Sequence, residues 1–276
     1  MIVNAFGLSR ERLGPTTNYE LMFEGAEPCH VLFIQDSAIL KYLYDKELLD
    51  PRLKIVLRMC EDKMLFVEQM CVYHAILDNK SKKVDLLLTW DEELLKFPYA
   101  KFCPVTDSSQ WKGCTVEDFK VYPKTKLLSA ITSNKALVPG HITRLFFINK
   151  IKDRLDLYGR GFKEMENKLE GLKDYMFSVA IENSTTTNCF TEKIQDCFLT
   201  GTIPIYYGPK NIGEFFDMDG ILTFNTQDEL NSILDSLNED LYYSKMEAIQ
   251  SNFNKALKYP TFNDSMYDLY LKDLID

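Results

Sequence analysis

The chain has 276 residues, 46% hydrophobic and 26% charged, the balance of an ordinary globular protein with one large or two medium domains. A formal net charge of −9 argues against a basic face for nucleic acid or anionic membrane. No run approaches the roughly 18 apolar residues of a membrane span, and the opening "MIVNAFGLSRERLG" lacks the basic start of a signal peptide, so a cytoplasmic location is expected.

In chain order, the apolar runs at 31–34 and 54–59 predict buried strands, and 64–75 predicts a helix. "VDLLLTW" (84–90) is a further strand, "DEELLKF" opens a helix with acids in its first turn, and 101–105 is a strand. Residues 106–125 form the one plausible linker, with Gly113 and Pro123 among aromatic residues. The alternation then restarts. Strands are expected at 126–132, 155–159, 175–182, 202–208 and 221–224, and helices at 142–151, 163–172, 191–199 and from the last strand to the end. Strands alternating with helices imply parallel sheets. Two such halves predict an α/β chain with two Rossmann-like domains facing a cleft, at 1–118 and 119–276. One large doubly wound sheet would fit the periodicity equally.

The seven cysteines are scattered, without a CxxC, and read as mostly free thiols. The three histidines lie far apart, so no metal site is expected. "IENSTTTNCFTEK" (181–193) places Glu182 and Asn183 just past a strand, and Thr191, Glu192 and Lys193 at the start of a helix. Ligands of doubly wound sheets bind beyond the carboxyl ends of the strands. A helix N-terminus with a lysine suits a phosphate, and a glutamate beside it accepts from both hydroxyls of a ribose. The same residues also fit a plain N-capping box, with Glu192 only complementing the helix dipole.

The stretch "YMFSVAIENSTTTNCFTEKIQDCFLTGTIPIYYGP" (175–209) resembles the signature of the α1,3-fucosyltransferases, glycosyltransferase family 10. The spacing from Asn183 to Lys193, the Pro204 turn and Gly208 match it. Upstream, "SAITSNKALVPGHITRLFFINKI" resembles the family's Ser-Asn segment and helix-opening arginine, with Arg144 in that arginine's place. The resemblance covers about 126–224. It implies the GT-B architecture, with the acceptor on the N-terminal domain and the nucleotide sugar on the C-terminal one. It also implies inverting transfer of L-fucose from GDP-fucose to a hydroxyl of a glycan acceptor, with no metal or other cofactor. Carried over, Lys193 and Arg144 bind the diphosphate, Glu192 the ribose, and Asn183 lines the site. Three positions depart from the pattern: Ile181, Phe190, and Cys189 where an aromatic is usual. The change at Cys189 leaves room for another donor, such as UDP-xylose. A non-catalytic nucleotide-sugar or glycan-binding protein is the reading from a different class.

An inverting transfer needs a base for the acceptor hydroxyl. Glu61 ends the apolar strand "KIVLRMC" and is the first choice, in a place comparable to a glutamate of the family, with Asp62 and Asp91 behind it. His141, near Arg144, is an additional phosphate contact or a loop histidine without a role. "DMD" (217–219) has the form of a metal-binding Asp-x-Asp but reads better as a surface turn. "YGRGF" (158–162) reads as a glycine-flexed turn after a strand, and one Gly-x-Gly is weak evidence for a donor contact by Arg160. The aromatic C-terminal segment is expected to cross back to the first domain.

Overall fold

The computed structural model describes residues 2–6, 20–23, 30–45, 51–106, 114–260 and 263–275. It contains two compact units: Met1–Ser109 with Pro260–Asp276, and Gln110–Tyr259. Each unit holds one parallel sheet.

The first sheet has the order β2-β1-β3-β4-β5-β6. Its strands are β1 (Ile2–Phe6), β2 (Glu20–Phe23), β3 (Val31–Gln35), β4 (Lys54–Arg58), β5 (Leu86–Thr89) and β6 (Ala100–Phe102). Successive side chains of a strand face opposite ways, and in β3, β4 and β5 both faces are buried. Leu32, Ile34, Ile55, Leu57 and Leu87 pack with Ile39 of helix α1 (Ala38–Tyr44) and with Val72 and Ile76 of α2 (Val67–Leu77). Val31, Phe33, Val56, Leu86 and Leu88 pack against Met266 and Leu271 of the C-terminal segment. That segment is pinned by Tyr270 Oη donating to Phe102 O at 3.0 Å, and by Thr106 Oγ1 donating to Pro260 O at 2.9 Å.

The second sheet has the order β11-β10-β9-β7-β8. Its strands are β7 (Lys126–Ile131), β8 (Asp156–Tyr158), β9 (Tyr175–Ile181), β10 (Ile203–Tyr207) and β11 (Leu222–Thr223). Helix α3 (Pro139–Ile151) leads from β7 to β8, and α4 (Glu192–Phe198) leads from β9 to β10. The chain leaves β7 toward one edge and returns on its other side as β9. The gap between β7 and β9 is therefore the switch point where open α/β sheets bind ligands. Helices α5 (Gln227–Ser236), α6 (Glu239–Tyr243) and α7 (Met246–Ala256) complete the core through Leu230, Leu234, Tyr242 and Ile249.

Several expected elements differ. Residues 163–172 do not form a helix but only a 3₁₀ turn, Lys168–Gly171. Asn167 captures the N–H of Leu169, Glu170 answers in a capping box, and Lys168 turns into the interior, so no amphipathic face is left to make. "DEELLKF" gives only the turn Leu94–Lys96. Asp91 holds the N–H groups of Glu93 and Leu94, and Pro98 disfavours helix at the residue before it. Helix α3 starts earlier than expected because Pro139, with its fixed φ, suits the first turn. The strands β1 and β2 were not read from the sequence at all. Of the linker expected at 106–125, residues 107–113 lie outside the described ones. Beyond them, Lys120 and Tyr122 donate to the carbonyls of Leu199 and Thr200, so this stretch belongs to the second unit.

Lys124 is the buried support of that unit. Its ammonium donates to Thr200 O (2.8 Å), Thr202 Oγ1 (2.9 Å), Lys173 O (3.2 Å) and Leu172 O (3.3 Å), all uncharged. Burial pulls its pKa down from the usual lysine value to about 7, against the weaker opposing pull of Cys197 and Asp174. Between about 7 and the ordinary lysine range near 10.4 the unfolded chain holds the extra proton, so stability rises with pH across that window. Urea midpoints of the native chain and of Lys124→Met should therefore diverge in slope between pH 7 and 9.5. Parallel slopes would show that Lys124 does not titrate in this way.

Candidate nucleotide-binding site

Glu182 follows the fully buried strand β9 and is 2% exposed. An acid at the end of an apolar strand requires partners, and this one has four donors. Thr191 gives its backbone N–H to Oε1 (2.9 Å) and its hydroxyl to Oε2 (2.8 Å). Lys193 Nζ reaches Oε2 at 3.1 Å, and Tyr206 Oη donates to Oε1 at 3.3 Å. Lys193 Nζ also donates to Thr191 Oγ1 at 2.8 Å. The start of α4 is thus bolted to the end of β9, and the lysine is held rather than free to swing.

Arg144, on the second turn of α3, is 5% exposed. Its Nη1 donates to Asn183 Oδ1 (2.7 Å), and its Nη2 reaches Ser133 O (3.1 Å), Ser133 Oγ (3.2 Å) and Lys135 O (3.4 Å). Its buried Nε has no hydrogen-bond partner in the protein. The helix approaches β9 closely at Gly140, where a Cβ would fall 1.8 Å from Asn183 O. His141 is buried and accepts the Leu137 N–H on Nδ1 (3.3 Å). Burial, then the nearby Arg144, Lys135 and Lys193, push its pKa down, which favours the neutral ring.

A cavity of about 190 Å³ opens at this switch point. The ends of β7 and β9 line it, together with Ser133, Arg144, Arg160, Lys168, Glu192 and Lys193. Gly159, at φ 111°, lets the exit of β8 close against Thr132 O, 2.0 Å from where a Cβ would stand. Glu192 lies 3.7 Å from both Lys193 and Lys168. Burial works against its ionisation, but Lys193 and then Lys168 outweigh this and hold the carboxyl at about 2. Lys168 is itself buried and pairs with Asp196 at 2.5 Å.

Arg144, Glu192 and Lys193 line the cavity, whereas Asn183, expected to line the site, is not among its lining residues and meets it only through its hydrogen bond with Arg144. Lys168 was not among the expected site residues, and Glu182 was placed just past the strand without a role of its own. Glu182 carried a signal, an acid closing an apolar run. Lys168 carried none, because the helical reading of 163–172 gave it no inward direction. Arg160 lines the cavity and is exposed. Asp217 and Asp219 form a turn in which Asp217 Oδ1 accepts the Asp219 N–H at 3.1 Å. Among the described residues no group of three or more His, Cys, Asp or Glu side chains is placed to hold a metal ion.

The acids considered as base belong to the first unit. Glu61 is exposed just past β4, and its N–H points to Asp36 Oδ1 at 3.4 Å. Asp36 has φ 48° and also accepts the Cys60 N–H at 2.8 Å. Asp62 is buried and caps the Met64 N–H, while Asp91 is buried and paired with Lys63 at 2.7 Å. Both are committed to holding structure, which leaves Glu61 as the exposed acid of the three.

Two parallel α/β units of Rossmann type, one with a crevice of paired acids and bases at its switch point, have the fold of the GT-B class of glycosyltransferases. Residues 121–253 match the family model described as Glycosyltransferase family 10 (fucosyltransferase) C-term. A fucosyltransferase-like protein of Arabidopsis thaliana is 30% identical over 119 residues, 41% of this chain and 23% of its own length. The Mus musculus 4-galactosyl-N-acetylglucosaminide 3-alpha-L-fucosyltransferase 9 is 29% identical over 138 residues, 46% of this chain and 38% of its own length. The chain thus spans well under half of either relative. A crystal structure of an alpha1,3-fucosyltransferase with GDP-fucose superposes with a TM-score of 0.53. It covers 95% of this chain and 91% of that one, at 16% identity, which speaks to fold. The second unit thus resembles the C-terminal region of the family 10 fucosyltransferases in sequence, and the chain shares the fold of an α1,3-fucosyltransferase.

The close approach at Gly140 yields a direct test. Gly140→Ala must separate α3 from Asn183 and so break the Arg144–Asn183 contact. Overpacking of this kind costs about 1–3 kcal/mol. A lowered melting temperature together with loss of GDP binding by calorimetry is expected. Unchanged values of both would show that the helix start yields without disturbing the site.

Proposed function

We propose that the protein transfers L-fucose from GDP-fucose to a hydroxyl of a glycan acceptor, with inversion and without a divalent cation. The observation that carries this reading is the Glu182-anchored Lys193 set with Arg144 and Glu192 around one crevice at the sheet's switch point. In this reading Lys193 and Arg144 take the diphosphate. The unpartnered Arg144 Nε is a further donor for it. Ionised Glu192 accepts from the ribose hydroxyls, and Asn183 keeps the guanidinium in plane. As the sugar–phosphate bond breaks, negative charge gathers on the leaving diphosphate. Fixed cations there stabilise the transition state more than the ground state. Glu61 takes the proton of the attacking hydroxyl, and the cations do the work a metal does elsewhere. The likeness to proteins named for fucosyl transfer and for GDP-fucose supports the choice of donor.

The experiment is release of GDP from GDP-fucose with a panel of glycan acceptors in excess EDTA. Acceptor-dependent release is expected in the native protein. Lys193→Ala and Arg144→Ala should each weaken GDP binding by about tenfold to a hundredfold, since hydrogen bonds to charged groups contribute roughly 1.5–3 kcal/mol. Turnover that vanishes in EDTA and returns with Mn²⁺ would contradict the metal-free reading. Unchanged GDP affinity in both variants would remove these residues from the site.

The base is tested separately. Glu61→Gln keeps the shape of the side chain but cannot take a proton. Turnover should fall by about 10²–10⁴-fold with donor affinity near the native value. Near-normal turnover would pass the role to another group. A fall confined to donor affinity would make Glu61 a binding residue.

A further inference from the structure

Lys168 is a buried cation of the cavity that neither the sequence pattern nor the diphosphate clamp explains. It comes from the turn before β9, is 5% exposed, and reaches two acids of α4. Those acids, Glu192 and Asp196, stand four residues apart and so on one face of the helix. Like charges at that spacing repel. Lys168 lies between them, 2.5 Å from Asp196 and 3.7 Å from Glu192. A single neighbouring acid would have been enough to compensate the buried ammonium. The second arrangement has a consequence for Lys193, which also lies 3.7 Å from Glu192. Without Lys168, Glu192 has Lys193 as its only close cation among the described residues, and the repulsion from Asp196 drives it that way. The carboxylate then closes on the lysine instead of standing open to a ligand.

We propose that Lys168 is the positioning residue that keeps Glu192 presented to the cavity as acceptor for the two vicinal hydroxyls of a ribose. It thereby sets how strongly the site prefers a ribonucleotide. This rests on the nucleotide reading of the cavity given above. Asp196 serves as the buried counter-charge that fixes the lysine's stem and head. Lys168 itself touches no part of the nucleotide; it acts through Glu192.

The test is calorimetric titration of the full chain with GDP and with 2′,3′-dideoxy-GDP, which differ only in the hydroxyls Glu192 would read. The native protein is expected to prefer GDP by on the order of tenfold or more. Removing one member of a buried ion pair is more disruptive than replacing both. The variant of choice is therefore Lys168→Met with Asp196→Asn, checked for a cooperative melt. It should lose most of the preference while its affinity for 2′,3′-dideoxy-GDP stays close to native. Asp196→Asn alone leaves Lys168 committed to Glu192 and should keep the preference. Should the double variant fail to fold, the single variant still decides, because loss of its preference overturns the proposal. A folded double variant that keeps the full preference, or that loses both ligands equally, also overturns it. A native protein that binds both ligands alike overturns the ribose role of Glu192 itself. Failure to bind GDP at all sinks the nucleotide reading beneath both.

Discussion

The interaction on which the second unit depends is the buried carboxylate of Glu182. A carboxylate removed from water is stable only if nearly all its lone pairs are met. Glu182 meets this with a backbone N–H, two hydroxyls and an ammonium, drawn from Thr191, Tyr206 and Lys193. The demand works in both directions. It fixes the end of β9 to the start of α4, and it fixes a cation at the mouth of the switch-point crevice. The same carboxylate therefore ties the local fold to the placement of Lys193 beside the crevice.

From that anchor the rest of the site follows by charge compensation. Three acids, Glu182, Glu192 and Asp196, stand among three bases, Arg144, Lys168 and Lys193. The cluster is balanced before any ligand arrives. Pairing keeps the bases in fixed directions, so little reorganisation is needed when a diphosphate binds. Helix α4 has only seven residues, and the side chains rather than its dipole carry most of the positive charge. This shifts the emphasis given by the sequence, where the helix start was the leading feature.

Most of the second unit was legible in the sequence because its strands are short, apolar and punctuated by turns, as at "TIPIYYG". The parallel arrangement followed from the alternation of strand and helix. Arg144, Asn183, Glu192 and Lys193 could be named because their types and spacing are tied to a specific motif. What escaped was decided by tertiary contacts. Residues 163–172 have a helical pattern, yet local capping by Asn167 and the pull of Asp196 on Lys168 defeat it. The strands β1 and β2 are short apolar runs that take their places in the sheet by parallel pairing with each other and with β3. In the first unit, Glu61, Asp62 and Asp91 are alike in sequence. Only burial and hydrogen bonding separate the two structural acids from the exposed one.

The central claim is that the crevice between β7 and β9 receives a nucleoside diphosphate. Amide chemical-shift mapping during a GDP titration tests it without reference to any reaction. The account predicts saturable shifts concentrated at Thr132, Ser133, Gly159, Asn183, Glu192 and Lys193, the backbone around the cavity. Shifts confined to the strand ends of the first unit, or none at saturating GDP, would contradict it.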